Sequence, residues 1–260
     1  MNTLIRLTTW ELHSPAHQSA CGDAWLRELA EMRGRVLYGL SGCAKFQLPD
    51  GTFTDSDGLD AHCYHLFARC GGKLVGCCRA IHLHGAPSSV AESLLGRPGL
   101  ERLLSNREAA HERTAEVSRW LVVPEYRNTP VATRLILGMW AAIRSLGAWH
   151  ALGMAGTRDG QDQMLMRFGG RRVPGFEPIL SPQFAQNVVP IWFELSCPPP
   201  RWATLVDQMA DRLGLADWRH SAKPAGSGQP RGPEFGHGRR RLALPIPSLR
   251  LYTSVASDNT

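Results

Sequence analysis

Charged and polar side chains that could do chemistry lie in four short stretches of the 260-residue chain. These are Arg33 in a helical stretch; Asp55, Asp57 and Asp60 in a Gly- and Asp-rich loop; Arg79 in a hairpin strand; and Glu116, Ser118 and Arg119 in EVSRWLVVPEYR (116–127). Asp57, Asp60, Arg79 and Arg119 carry two charges of each sign, and buried charges require partners. We therefore expect an ion network. Its role is either to position a small-molecule substrate or only to order the loop 41–61.

Metal chemistry is not favoured by the sequence. DSDGLD (55–60) fails as an EF-hand, because aligning Asp55 and Asp57 with the third and fifth loop positions puts Phe53 first and Tyr64 twelfth. His82 and His84 share a strand face without an evident third ligand. The seven cysteines form no CxxC pair, which indicates reduced thiols in a cytoplasmic protein. We expect no metal and no tightly bound cofactor.

The elements that must position these residues follow from periodicity and turn signals. We predict strands at 4–12, 62–69, 73–83, 115–123, 150–156 and 187–196, and helices at 23–39, 94–104, 130–146, 160–170 and 200–218. Gly71-Gly72 marks a hairpin turn, and Pro190 predicts an edge or a bulge in the last strand. This order predicts one α/β domain over residues 1–218, with a mixed twisted sheet and helices on both faces.

Residues 219–260 differ in composition from the rest of the chain. They are rich in Gly, Pro and Arg and hold seven Lys or Arg against two acids, most of the net charge of +6. We predict a flexible tail, because such a segment buries little apolar surface. The body is then nearly neutral, which disfavours a nucleic-acid-binding protein. No apolar run is long enough for a membrane span, and no signal peptide is evident at the N-terminus.

The motifs resemble those of a known enzyme family in order and spacing. EVSRWLVVPEYR (116–127) resembles the central strand and following turn of GNAT acyltransferases, and more narrowly of the acyl-homoserine lactone autoinducer synthases and the related long-chain N-acyl amino acid synthases. RGRVL (33–37), DSDGLD (55–60) and GCCR (76–79) resemble the family's early helix, acidic loop and hairpin strand. Leu37 and Cys43 stand where autoinducer synthases usually have aromatic residues, on the acceptor side.

The resemblance implies attack of an amine on a fatty acyl thioester, in a GNAT-like fold. Glu116 would be the base or water-orienting carboxylate, with Arg119 beside it, and backbone N–H groups at a strand bulge would bind the oxyanion. In a regular strand Glu116 and Arg119 face opposite sides, so these roles need a bulge between them. The alternative is that Glu116 only pairs with an arginine. The residues that the resemblance places around the substrate are Arg33, Asp57, Asp60, Arg79 and Ser118.

The thioester donor is indicated by the turn before the third long helix. Coenzyme A enzymes of this fold usually read Gln/Arg-x-x-Gly-x-Gly/Ala there, whereas this chain has Arg127-Asn-Thr-Pro130-Val-Ala132. Pro130 has no N–H for a pyrophosphate, which favours an acyl carrier protein over coenzyme A. Six arginines could dock that acidic protein, or could be ordinary solvated residues: Arg127, Arg134, Arg158, Arg167, Arg171 and Arg172.

The acceptor stays open at this stage. S-adenosylmethionine would serve if the product is an N-acyl-homoserine lactone, and a free amino acid would serve if it is an N-acyl amino acid. Two alternatives to this autoinducer synthase-like assignment also stay open. One is a CoA-dependent or ornithine-lipid-type acyltransferase on the same fold, and the other is a non-catalytic GNAT-like binding protein with a basic tail.

Overall fold

One mixed sheet of eight strands organises the chain in a computed structural model, which describes residues 8–13, 24–41, 44–107, 109, 111–158 and 160–215. The strands are β1 Thr8–His13, β2 Tyr64–Cys70, β3 Lys73–His82, β4 Thr114–Val122, β5 His150–Gly156, β6 Arg171–Arg172, β7 Ile179–Ser181 and β8 Gln186–Glu194. Their order across the sheet is β1-β2-β3-β4-β5-β8-β6, and β7 also pairs with β8. Among the strands of the described residues, only β4 and β5 pair in parallel.

Five helices cover the sheet: α1 Ala24–Ser41, α2 Val90–Ser105, α3 Pro130–Ser145, α4 Gln161–Arg167 and α5 Pro200–Arg212. Helices α3 and α5 pack on the face that carries Leu66, Ala68 and Ala80, and build the main core there. Alternate residues of the same strands, such as Phe67 and Cys77, face α1 on the other side. The α/β architecture with helices on both faces is therefore confirmed. Within the described ranges no helix is both long and apolar enough to cross a bilayer.

Turn and cap chemistry sets the ends of the key elements. Gly71 and Gly72 both have positive φ, at 57° and 78°, and close the predicted β2–β3 hairpin. Thr129 caps α3 by accepting from the Val131 N–H at 3.3 Å, and Pro130 occupies the first helical position. These features place the end of β4 next to the start of α3.

Three details differ from the sequence prediction. Helix α2 begins at Val90 rather than at 94, because the Ser89 hydroxyl caps it by accepting from the Glu92 N–H. Strands β6 and β7 were not predicted, since two or three residues carry no periodicity. Pro190 was expected at an edge or a bulge, but β8 has strands on both sides. Pro190 lies between the part of β8 that pairs with β7 and the part that pairs with β6, where no strand needs a hydrogen bond from its backbone nitrogen. The predicted tail from 219 onward lies outside the described residues.

Candidate active site

Asp60 is the centre of a buried ion cluster on the α1 face of the sheet. Its carboxylate accepts from the Arg33 guanidinium at 2.9 and 2.5 Å and from Arg79 Nη1 at 2.7 Å. All three side chains are almost fully buried. Helix α1 thereby supplies one arginine and strand β3 the other, so one carboxylate ties the helix to the sheet.

Asp55, Asp57 and Arg119 extend the cluster to six charges. Arg119 donates to the two Asp55 carboxylate oxygens at 2.5 and 3.0 Å, and the Arg33 guanidinium lies 3.1 Å from the same carboxylate. Asp57 bridges the two halves, because it accepts from Arg79 at 2.7 Å and from Arg119 at 3.3 Å. The predicted network of four charges is confirmed and holds three charges of each sign, because Asp55 and Arg33 also belong to it.

A glycine in α1 lets the acidic loop reach the cluster. A Cβ on Gly34 would lie 2.3 Å from the Thr54 backbone nitrogen, so the loop packs directly on the helix backbone. The Asp55 N–H donates to the Ala30 carbonyl at 2.9 Å and fixes the loop there. Gly34 and this hydrogen bond therefore set the position of the three aspartates.

Asp57 is the member of the cluster that faces outward. Its side chain is 30% exposed, whereas the other five are at most 4% exposed. Burial opposes ionisation, but the neighbouring arginines outweigh it and hold the pKa of the Asp57 and Asp60 carboxyls below the ordinary value. Asp57 therefore stays charged at neutral pH and offers an edge to a cationic group.

Strand β4 contains the bulge that the proposed chemistry needs. Cys77 pairs with Leu121 and Arg79 pairs with Ser118, so β4 contributes one residue more than β3 between these pairs. Arg119 occupies the bulge with φ of 54°, in the left-handed region. The Ser118 hydroxyl accepts from Arg79 Nε at 3.2 Å, and Arg119 reaches the same cluster. Glu116, Ser118 and Arg119 thus lie on one face of the sheet.

Beyond Glu116, strands β4 and β5 separate. They pair only over Thr114–Glu116 and His150–Leu152, and then β5 continues in register with β8 to Gly156. The opening between the strands begins beside Val117, immediately before the bulge. Past Glu116 the inner edge of β4 has no ladder partner on β5, so its backbone N–H groups can meet a carbonyl oxygen.

Glu116 is buried at the closed end of this opening, with 1% exposure. Its carboxylate accepts from the backbone N–H of Val90 at 3.0 Å and of Ala91 at 2.7 Å, at the first turn of α2. Burial raises the pKa of the Glu116 carboxyl, although these two N–H groups oppose the shift. The structure therefore shows Glu116 as an anchor for α2, a role that the sequence did not predict, and its role as a base stays a prediction.

The six predicted docking arginines separate into two kinds. Five of them are exposed: Arg127, Arg158, Arg167, Arg171 and Arg172. Arg134 is only 7% exposed, faces α5 and lies 3.9 Å from the Met209 sulfur, so the prediction that it docks a carrier protein is wrong. The helical period of α3 places Arg134 on the face that packs against α5, and the prediction did not consider this period.

Two further residues near the cluster were missed. His65 Nε2 lies 3.0 Å from the Asp60 carbonyl oxygen, and burial lowers the pKa of this imidazole to about 4. Phe184 lies over the Arg119 guanidinium at 5.5 Å, although 65 residues separate them in the chain. Alternation in the β2 hairpin strand could have indicated His65, whereas no local signal points to Phe184. The described residues contain no group of three potential ligands that could hold a metal.

Comparison with known proteins places this geometry in a fold family. A family model described as "Acetyltransferase (GNAT) domain" matches residues 41–137, which include the acidic loop, the β2–β3 hairpin, the bulged strand and the start of α3. Over these residues the chain is therefore similar to GNAT domains. None of the curated proteins matches the chain.

Solved structures similar to this chain include acyl-homoserine lactone synthases. BjaI, a CoA-dependent synthase solved with SAM and isopentyl-CoA, has a TM-score of 0.57 at 18% identity, over 80% of this chain and 90% of BjaI. TofI, in a ternary complex with an inhibitor and MTA, has a TM-score of 0.53 at 19% identity, over 76% and 96%. The synthase LasI has a TM-score of 0.52 at 17% identity, over 72% and 90%. At these identities the likeness shows the shared fold, which confirms the fold predicted from the motifs.

Proposed function

We propose that this chain moves a fatty acyl group from a carrier-protein thioester to the amine of a small aminoacyl metabolite, giving an N-acyl-homoserine lactone or an N-acyl amino acid. The observation that carries the proposal is the bulge at Arg119. At this bulge the β4–β5 ladder has just ended, so the inner edge of β4 is unpaired there. The same bulge directs Arg119 into the ion cluster. An acyl transfer needs a thioester, an oxyanion site and a held amine close together.

The reaction follows from this placement. The acyl thioester enters between β4 and β5, and its carbonyl oxygen points to the backbone N–H groups of β4. The amine nitrogen attacks the carbonyl carbon, the oxyanion forms and collapses, and the carbon–sulfur bond breaks. The thiolate leaves and takes up a proton, while the new amide nitrogen has lost one. Glu116, with its raised pKa, accepts that proton through a water molecule.

Asp57 holds the acceptor in this scheme. Its partly exposed carboxylate and the Ser118 hydroxyl both bind Arg79, and its charge complements an ammonium or sulfonium group. The Asp55 and Asp60 side chains are at most 4% exposed, so these carboxylates stiffen the site rather than bind the acceptor. BjaI was solved with SAM and TofI with MTA, which supports S-adenosylmethionine as the first acceptor to test.

The carrier-protein donor is supported by the first turn of α3. Pro130 has no N–H, and the Val131 N–H is already used by the Thr129 side chain. Two of the amides that would bind a pyrophosphate are therefore not available. Arg127 and Arg158 are exposed for an acidic partner. BjaI is described as CoA-dependent, so coenzyme A thioesters belong in the same test.

The test is a matrix of purified full chain, acyl donors and acceptors, with products identified by mass spectrometry. Donors are carrier-protein and coenzyme A thioesters of short, medium and long acyl chains, and acceptors are S-adenosylmethionine and the free amino acids. We expect an acylated amine with at least one carrier-protein donor. The proposal fails if no pair gives a product, and its donor assignment fails if only coenzyme A thioesters react.

Glu116→Gln tests the base within the same assay. We expect kcat to fall about a hundredfold, the lower range for a lost general base. Glu112→Gln is the matched control, because that side chain is exposed and lies just before β4. Unchanged turnover of a folded Glu116→Gln protein would leave Glu116 as an anchor for α2 only.

A further inference from the structure

The tip of the β7–β8 hairpin lies beyond the end of β5, on the side where β4 and β5 no longer pair. Strand β8 begins at Gln186 and pairs with β5 only from Val188 onward, opposite Gly156. The four residues 182–185 that join β7 to β8 therefore extend past the end of β5. The turn is fixed by the Phe184 N–H, which donates to the Ser181 carbonyl at 3.2 Å, and by Ala185 in the left-handed region at φ 49°.

Phe184 reaches from this tip to strand β4. Its ring lies over the Arg119 guanidinium at 5.5 Å and stacks near Phe46, with ring centroids 6.2 Å apart. It also packs in a small apolar cluster with Leu37 and Leu121. A residue of the far hairpin thus touches the bulge and the loop that leads to the aspartates.

These contacts lie on one side of the opening. Leu121 also packs against α1, so Phe184 lies on the α1 face, where Asp57 offers its exposed edge. Helix α3, whose first turn would receive the donor phosphate, packs on the opposite face. Phe184 therefore borders the acceptor side of the opening and not the donor side.

We infer that Phe184 is a specificity-determining residue for the acceptor amine. The inference rests on the proposed function and deepens it. The ring covers Arg119 and leaves Asp57 as the charged group that an acceptor meets, so the amine binds at Asp57 while its side group packs on the aromatic wall. Aromatic faces stabilise cations and apolar groups and reject carboxylates. The acceptor class is then an amine with an aliphatic or sulfonium side group, not an acidic one.

Steady-state kinetics of Phe184→Ala and Phe184→Leu test this role, with the donor and acceptor that give product in the wild-type protein. We expect the acceptor KM of Phe184→Ala to rise about tenfold, while the donor KM stays within about twofold. Phe184→Leu keeps much of the apolar volume and should lie in between. Selectivity is read from kcat/KM for the best acceptor over that for glutamate, and should fall in Phe184→Ala.

Leu180→Ala is the matched control, because Leu180 lies on the same hairpin and is 64% exposed. It should leave both KM values unchanged. Equal shifts of donor and acceptor KM, or no shift of either, would overturn the inference while leaving acyl transfer itself intact. If Phe184→Ala does not fold, the same comparison with Phe184→Leu decides. Absence of wild-type product refutes the proposed function instead, so the two failures are distinguishable.

Discussion

Two glycines in α1 should respond to alanine with opposite signs. Gly39 has no atom within 4 Å of an added Cβ. Alanine there gains helix propensity, which stabilises a protein by about 0.5–1 kcal/mol. Gly34 gains the same propensity, but its Cβ would lie 2.3, 2.6 and 2.7 Å from backbone atoms of Thr54 and Phe53. Backbone atoms cannot rotate away, so the loop itself has to move.

The cost at Gly34 can be bounded from the cluster. Overpacking of this kind costs about 1–3 kcal/mol. Movement of the loop also pulls Asp55 from Arg33 and Arg119, and breaking a buried ion pair costs about 3–5 kcal/mol. After the helix gain is subtracted from these two costs, Gly34→Ala should lose about 3 kcal/mol or more.

Urea unfolding at pH 7, followed by tryptophan fluorescence and circular dichroism, measures both glycine variants against wild type. Acyl transfer should fall in Gly34→Ala and stay at the wild-type level in Gly39→Ala. A Gly34→Ala protein as stable as Gly39→Ala would refute the packing of the loop on α1, and with it the placement of the three aspartates.

Three further outcomes follow from burial and charge. The pKa of His65 lies at about 4 in the folded chain and near 6.5 in the unfolded chain. The free energy of unfolding should therefore be highest above pH 6.5 and fall by about 3 kcal/mol as the pH drops to 4. His65→Asn should reduce this pH dependence, as measured by urea unfolding at each pH. Asp60→Asn should cost about 3–5 kcal/mol, and Asp57→Asn clearly less because its side chain is partly exposed; equal losses would contradict the assigned burial. Burial raises the pKa of Cys77 to about 12, so native protein at pH 8 should be alkylated by iodoacetamide at exposed Cys197 long before Cys77, as peptide mass spectrometry would show.

The fold could be predicted where the signal is local. The Gly71-Gly72 turn, the Thr129-Pro130 cap and the apolar periodicity of α3 each fix an element without reference to the rest of the chain. The equal numbers of Asp and Arg in the motifs also predicted that these distant residues form ion pairs, because a buried charge requires a partner of opposite sign.

The rest depends on tertiary contacts. Arg134 was assigned to the surface by its type, yet the helix period turns it toward Met209. Glu116 was predicted as a catalytic group, but the sequence did not show that Ser89 starts a helix whose first amides would bind its carboxylate. Phe184 meets Arg119 only because β4 bulges and a hairpin crosses the end of β5, and neither event is encoded near residue 184.

The central claim is that an acyl thioester binds between β4 and β5, beside the bulge at Arg119. A crystal structure of the full chain with a non-hydrolysable acyl-pantetheine tests it most directly. We predict the pantetheine arm between the two strands, with the acyl carbonyl oxygen about 3 Å from a backbone N–H of β4. A ligand bound elsewhere, with the strands closed over an empty gap, would contradict the account.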